Sequence, residues 1–220
     1  MQVDQNAFIK LLDVLYERAL NGGVGIGTVE ELAEDYLKGN GSRYDQAASL
    51  IRWQTAKSTT SGFLTGLGGI LILPVTLPLN ITSVIFIQLR MIAAIAYIGG
   101  YDVRDDRVKT LCYACLCGNA AKDVLKGVGI KASTKLTEQA IQKLSFEVIK
   151  TINQAVGFRF LTKFGATGII NLGKAVPIVG GVVGGAFDGF STRTIGRVAQ
   201  TTFLDKSVSG NEDTIERNRI

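Results

Sequence analysis

Proton-transfer chemistry near neutral pH most often uses histidine, and none of the 220 residues of this chain is one. The commonest general base, the usual zinc ligand and every Ser–His or Cys–His pair are therefore absent. The three cysteines, Cys112, Cys115 and Cys117, lie within six residues of sequence. On one helix, at about 100° per residue, Cys117 falls about 200° round from Cys115. The thiols do not converge, so they read as small buried hydrophobes rather than a metal site. An odd number on one helix also gives no disulfide framework. No catalytic, cofactor-binding or metal-binding residue is assigned.

The remaining candidates are arginines. Arg90 is the only charge between Gly62 and Gly100, with Gln88 two residues before it. Arg193 and Arg197 stand one helical turn apart, and Asp188 precedes them on the same predicted helix. Such guanidinium groups can hold a phosphate or carboxylate. Burying a charge requires a partner, so Arg90 is expected to pair with Asp188 inside a bundle. Gln88, Arg90, Asp188, Arg193 and Arg197 thus form the candidate polar core or ligand site. The loop GGVGIG at 22–27 resembles a phosphate cradle only superficially: no strand precedes it, and it reads as a helix stop and turn.

What positions these residues is the apolar stretch 62–100, GFLTGLGGILILPVTLPLNITSVIFIQLRMIAAIAYIGG. Proline lacks an N–H and clashes with the preceding turn, so Pro74 and Pro78 should end one helix and precede another. Asn80 or Thr82 can cap the second, which would run over 81–98, about 27 Å at 1.5 Å per residue. A bilayer needs about 20 apolar residues, so this helix sits at the boundary between a span and a buried core helix. A second stretch, Val176–Phe190, carries Gly181, Gly185 and Gly189 four apart. On a helix they form a stripe against which another backbone packs closely, within one monomer or between copies.

The other segments read as helices. Phe8, Leu11, Leu12, Leu15 and Ala19 define a first amphipathic helix over 4–20. Thr28 and Glu31 form a capping box, and Ser42 with Asp45 repeats that signal. Asp102 is expected to start a helix with Val108, Leu111, Cys112 and Cys115 inward. One amphipathic helix is expected over 133–156, and no convincing strand pattern is present. The fold class is all-α, a single multi-helix bundle built around a central apolar helical hairpin. N-terminal amphipathic helices occupy 1–40, the main helical domain 41–206, and a polar, disordered tail 207–220.

Apolar residues make up 46% of the chain and the mean hydropathy is +0.24, high for a soluble protein and low for a polytopic membrane protein. The formal charge of +5 is not concentrated in any block, which argues against nucleic-acid binding and allows mild attraction to anionic lipid. The N-terminal segment carries acids and reads as an amphipathic helix rather than a leader, so a reducing, cytoplasmic-side compartment is expected.

Two stretches resemble one known family. GFLTGLGGILILPVTLPLNITSVIFIQLRMIAAIAYIGGYDV, at 62–103, is similar to the core motif of the EcsC family, and KAVPIVGGVVGGAFDGFSTRTIGRVA, at 174–199, to its C-terminal motif. Order and spacing agree, and the resemblance spans roughly 41–204. It implies a bacterial, helical protein, named for an operon that also encodes an ABC transporter, and brings no catalytic residues. The functional expectation is a non-enzymatic, membrane-associated protein at the cytoplasmic side of the inner membrane. It would dock its apolar hairpin on lipid or on a membrane partner such as a transporter. The alternatives are a pore-forming homo-oligomer assembled through the 181/185/189 glycine zipper, and an enzyme or anionic-ligand binder using Arg90, Arg193 and Arg197.

Overall fold

The computed structural model describes residues 5–23, 25–59, 79–131, 135–164 and 180–206. Among them are nine α-helices and no strand: α1 (Gln5–Asn21), α2 (Val29–Leu37), α3 (Arg43–Thr59), α4 (Leu79–Ile98), α5 (Asp106–Leu116), α6 (Ala121–Lys126), α7 (Glu138–Gln142), α8 (Phe146–Phe164) and α9 (Gly180–Phe203). The fold is an all-α bundle. The first limb of the expected hairpin, Pro177 and the tail from Ser207 lie outside the described residues.

The helix ends follow the local chemistry. Thr28 N–H donates to Glu31 Oε2 (2.9 Å) and Glu31 N–H to Thr28 Oγ1 (3.1 Å), the reciprocal box that removes two orphan donors from α2. Ser42 donates its N–H and its hydroxyl to the Asp45 carboxylate at the start of α3. Gly22, at φ +69°, ends α1, and a two-residue turn between Gly23 and Ile26 brings the chain back through paired backbone hydrogen bonds. The GGVGIG segment is the helix stop and turn that its sequence indicates.

Two boundaries differ from expectation. Asp105, not Asp102, caps α5, accepting from the Arg107 N–H at 2.7 Å; Asp102 instead accepts from Arg104 N–H in the turn before it. The expected helix over 133–156 is two helices. Thr137 caps α7 and Ser145 caps α8, while Arg107 Nε donates to the Leu144 carbonyl in the break between them. Two side-chain caps and a tertiary donor outcompete a continuous helix there. Beyond 156, α8 continues to Phe164 through Gly157, where a Cβ would lie 3.5 Å from Gln5 Cβ.

α4 is the axis of the bundle. From Ile85 to Ala96 every residue is buried, and α1, α2, α3, α5 and α9 all pack against it. Each fully buried Ile, Leu or Phe contributes about 1.5–3 kcal/mol, so this helix dominates the core. α9 runs parallel to it: Gln88 meets Thr192, Met91 lies near Gly196, and Gly99 lies so close to Phe203 that a Cβ there would sit 2.6 Å from the Phe203 carbonyl oxygen. α3 runs antiparallel to α9, with Gln200 Nε2 donating to the Tyr44 carbonyl (2.7 Å) and Ile51 against Gly196. The last turn of α3 and the first turns of α4 and α9 therefore point to one end of the bundle. α8 ends toward it too, since Phe160 stacks on Phe8 near the start of α1, which descends through Tyr16–Val103 and Asn21–Arg104 to the opposite end.

The thiols of Cys112 and Cys115 are buried in the core, and Cys117 is half-buried. Burial raises the Cys112 thiol well above its ordinary range and pushes Cys115 up to about 12. Burial likewise raises Tyr101 to about 12, its hydroxyl donating to the Leu136 carbonyl, and raises Tyr16, which donates to Val103 O (2.8 Å). Two outcomes follow. These groups favour their neutral forms in the folded state, so their contribution is intact below the unfolded values of about 8.5 for thiol and 10 for phenol. It is lost as pH rises through about 12, and urea midpoints measured from pH 8 to 12 should fall steadily above pH 9. Second, a Cβ at Gly196 would lie 2.7 Å from Ile51 Cγ1 and 3.1 Å from Met91 Sδ. Gly196→Ala should cost about 1–3 kcal/mol by overpacking, read as a lower urea midpoint at unchanged slope.

Candidate functional site

The structure separates the residues that the sequence grouped. Gln88 and Arg90 are two positions apart on α4, about 200° around its axis. Gln88 faces α9, donating through Nε2 to Thr192 Oγ1 at 3.1 Å, and both side chains are buried. Arg90 points the other way. Its Nη1 donates to the Ala19 carbonyl in the last turn of α1, and its Nη2 to the Thr28 carbonyl at the cap of α2, each at 3.1 Å. Both acceptors are backbone oxygens at helix ends, where a cation is favoured at α1 by the dipole. Burial pulls the guanidinium below its ordinary value, and the Glu31 and Glu30 carboxylates oppose that shift. The group stays charged at physiological pH.

Arg90 thus holds both ends of the 22–28 turn against the central helix. The expected partner, Asp188, has its side chain outside the described residues, as do the surroundings of Gly181 and Gly185. Gly189 is buried within the bundle. A glycine one heptad further on, Gly196, packs α9 against Ile51 of α3 and Met91 of α4 with no room for a Cβ. Arg193 and Arg197 are exposed; Arg197 lines an open groove of about 450 Å³ with Lys122, Phe190 and Thr194. Gln88 and Arg90 face opposite sides of α4, and Arg193 and Arg197 are exposed, so these four described candidates do not converge.

A different grouping emerges at the end of the bundle where α3 and α8 stop and α4 and α9 begin. The segments that leave and re-enter there, 60–78 and 165–179, are apolar and glycine-rich, and Lys174 is their only charge. Toward these helix ends two aromatic side chains face outward, Trp53 (60% exposed) and Phe158 (58%), and a third, Phe190 (71%), stands near the middle of α9. Trp53 and Phe158 each lie six residues, about 9 Å, from the end of their helix, and Phe190 about 15 Å from the start of α9. Arg52, exposed, adjoins Trp53 in sequence; Arg193, also exposed, lies three residues after Phe190 and past the middle of α9. Among the described residues, Val14 and Phe146 are the other large exposed apolar side chains, and Phe146 belongs to the opposite end. The sequence holds a signal for this asymmetry: no Asp or Glu occurs between 46 and 101 or between 148 and 187, although the chain has 19 acidic residues. Among the described residues, no helix is long and apolar enough to cross a membrane.

The class defined by this architecture is an all-α bundle around a buried apolar helix, with two apolar segments attached at one end. The EcsC protein family matches residues 24–204, and the chain belongs to that family. The match begins upstream of residue 41, taking in most of the 22–28 turn and all of α2, the parts that Arg90 fastens to α4. Comparison with curated proteins and with solved structures finds no match.

Replacing Arg90 tests its fastening role. Arg90→Met removes the donor from the Ala19 carbonyl and one of two donors from the Thr28 carbonyl, which keeps Leu32 N–H, at about 1.5–3 kcal/mol for each hydrogen bond to a charged group. The expected outcome is a loss of about 2–4 kcal/mol in urea unfolding, with faster amide exchange confined to the 22–28 turn and the adjoining ends of α1 and α2. Arg90→Lys, able to reach one acceptor, should fall between that variant and the parent.

Proposed function

We propose that this is a non-enzymatic, membrane-associated protein that docks the end of its bundle carrying the two apolar segments on the cytoplasmic face of a bacterial inner membrane. The observation that carries the reading is the coincidence, toward one end, of both acid-free apolar segments, the exposed Trp53 and Phe158, and the exposed Arg52, with the exposed Phe190 further along α9. Aromatic side chains favour the membrane–water interface, where an apolar ring meets a wet headgroup layer. Arg52 beside Trp53 gains from the negative surface potential of anionic lipid, and the two acid-free segments avoid repulsion from it. The segments 60–78 and 165–179 supply apolar area to be withdrawn from water, at about 25 cal/mol per Å².

The reading makes Trp53 an intrinsic reporter, since it is the only tryptophan in the chain. With vesicles containing phosphatidylglycerol, its emission should shift to the blue, lipids brominated near the headgroup should quench it, and the protein should co-sediment. Phe158→Ser with Phe190→Ser should weaken partitioning about tenfold, the equivalent of 1.4 kcal/mol. Release by salt would place the attachment at the surface, and resistance to alkaline carbonate would place it deeper. Unchanged Trp53 emission together with no co-sedimentation would overturn the proposal.

A further inference from the structure

The open groove between α9 and the start of α6 is basic and apolar at once. It measures about 450 Å³, and Lys122, Phe190, Thr194, Arg197 and Thr201 line it. We propose that it seats the chain's own segment 207–220, which follows α9 and lies outside the described residues, through Glu212, Asp213 and Ile215.

The groove sets the chemistry of its occupant. Its threonines are settled: Thr194, Thr201 and Thr202 each donate to the carbonyl four residues earlier, at 2.9, 3.0 and 2.8 Å. Lys122 and Arg197 are exposed, and among the described residues neither makes an ion pair. The one acid of α6, Asp123, pairs instead with Arg159 of α8 (3.6 Å), and α9 has no acid after Asp188. Unmatched in the groove are therefore two cations and the ring of Phe190, which is 71% exposed. Carboxylates beside an aliphatic side chain complement that set, and the segment after α9 reads Glu212-Asp-Thr-Ile-Glu216. The geometry of the tether agrees. Six residues from Lys206 reach Glu212, at most about 20 Å, while Arg197 lies about 9 Å back along α9 from Phe203. Three further residues, about 10 Å, lead to Ile215, and Phe190 lies about 10 Å beyond Arg197. Attachment to the same chain gives the segment an effective concentration on the order of millimolar, so a contact of millimolar strength closes it. The family match stops at residue 204, which makes the contact a property of this chain rather than of the matched region.

Amide hydrogen exchange of the full chain at low salt, read by mass spectrometry over 208–216, tests the contact. Each variant is compared with a synthetic peptide of its own segment. In the parent, exchange should be about threefold or more slower than in the peptide, and 0.5 M salt should remove the difference. Lys122→Glu with Arg197→Glu should restore the peptide rate, as should Glu212→Lys with Asp213→Lys, and the four changes together should recover protection. Lys10→Glu, on an exposed position of α1, is the charge control and should change nothing. The groove side chains are exposed, so the melting temperature should stay within a degree or so of the parent's. Exchange at the peptide rate in the parent, or protection that survives reversal of the groove, would overturn the proposal. Protection lost on tenfold dilution would put the segment on a second copy and overturn it too. No lipid is present in these measurements, so their failure leaves the lipid reading standing.

Discussion

A single charge placed inside the most apolar helix of the chain sets the terms for the rest of the structure. A buried guanidinium is tolerated only when its N–H groups find acceptors. Arg90 finds them on two helix ends, the carbonyls of Ala19 and Thr28. Those carbonyls differ in their alternatives. Ala19 belongs to the last turn of α1, where carbonyls lack intrahelical donors, and Thr28 O also accepts from Leu32 N–H. One side chain thereby meets the needs of α4, α1 and α2 together. The glycines of the turn make the arrangement possible, because Gly22 adopts a left-handed conformation with no room for a side chain against Ile26 and Gly27.

The helices were legible because their signals are local. Capping boxes at Thr28–Glu31 and Ser42–Asp45 operate within four residues, and the periodic apolar positions of α1 need only the helical repeat. Where the outcome depended on a distant partner, the reading slipped. The break between α7 and α8 involves Arg107 reaching the Leu144 carbonyl from another helix, which no window around 137–146 contains. The pairing of Gln88 with Thr192 and the orientation of Arg90 toward α1 and α2 are likewise set by which helices surround α4. Residue type identified both as buried polar groups needing partners, but spacing alone could not name the partners. The groove was missed for a related reason: Lys122 and Phe190 are unremarkable singly and meet Arg197 only when the start of α6 is brought beside α9.

Glycine is used here in two ways that the sequence does not distinguish. At Gly22 and Gly100 the backbone demands a positive φ. At Gly196 and Gly99 the demand is space: neighbouring Ile51 and the Phe203 carbonyl occupy the place of a Cβ. Gly196 lies outside the 181/185/189 stripe, so the regular spacing drew attention to one part of α9 while its tightest described packing lies in another. An intramolecular neighbour gives Gly196 a sufficient reason, since overpacking by one methyl costs about 1–3 kcal/mol.

Parallel α4 and α9, with antiparallel α3, give the bundle two chemically unlike ends. Starts of parallel helices gather at one end and their stops at the other, so whatever precedes α4 and α9 is brought to a common place by topology alone. Both preceding segments are apolar and free of acids. At the far end the same topology gathers the N-terminus of α3 with the C-termini of α4 and α9, and there the acids and bases return: Asp45, Asp102 and Asp205 with Arg43 and Lys135. Helix ends are where backbone groups lack partners, so capping side chains gather at such a pole, as Ser42 and Asp45 do at the start of α3. In the proposed reading, the acid-free pole is the one that meets lipid, and the charged pole faces away from it.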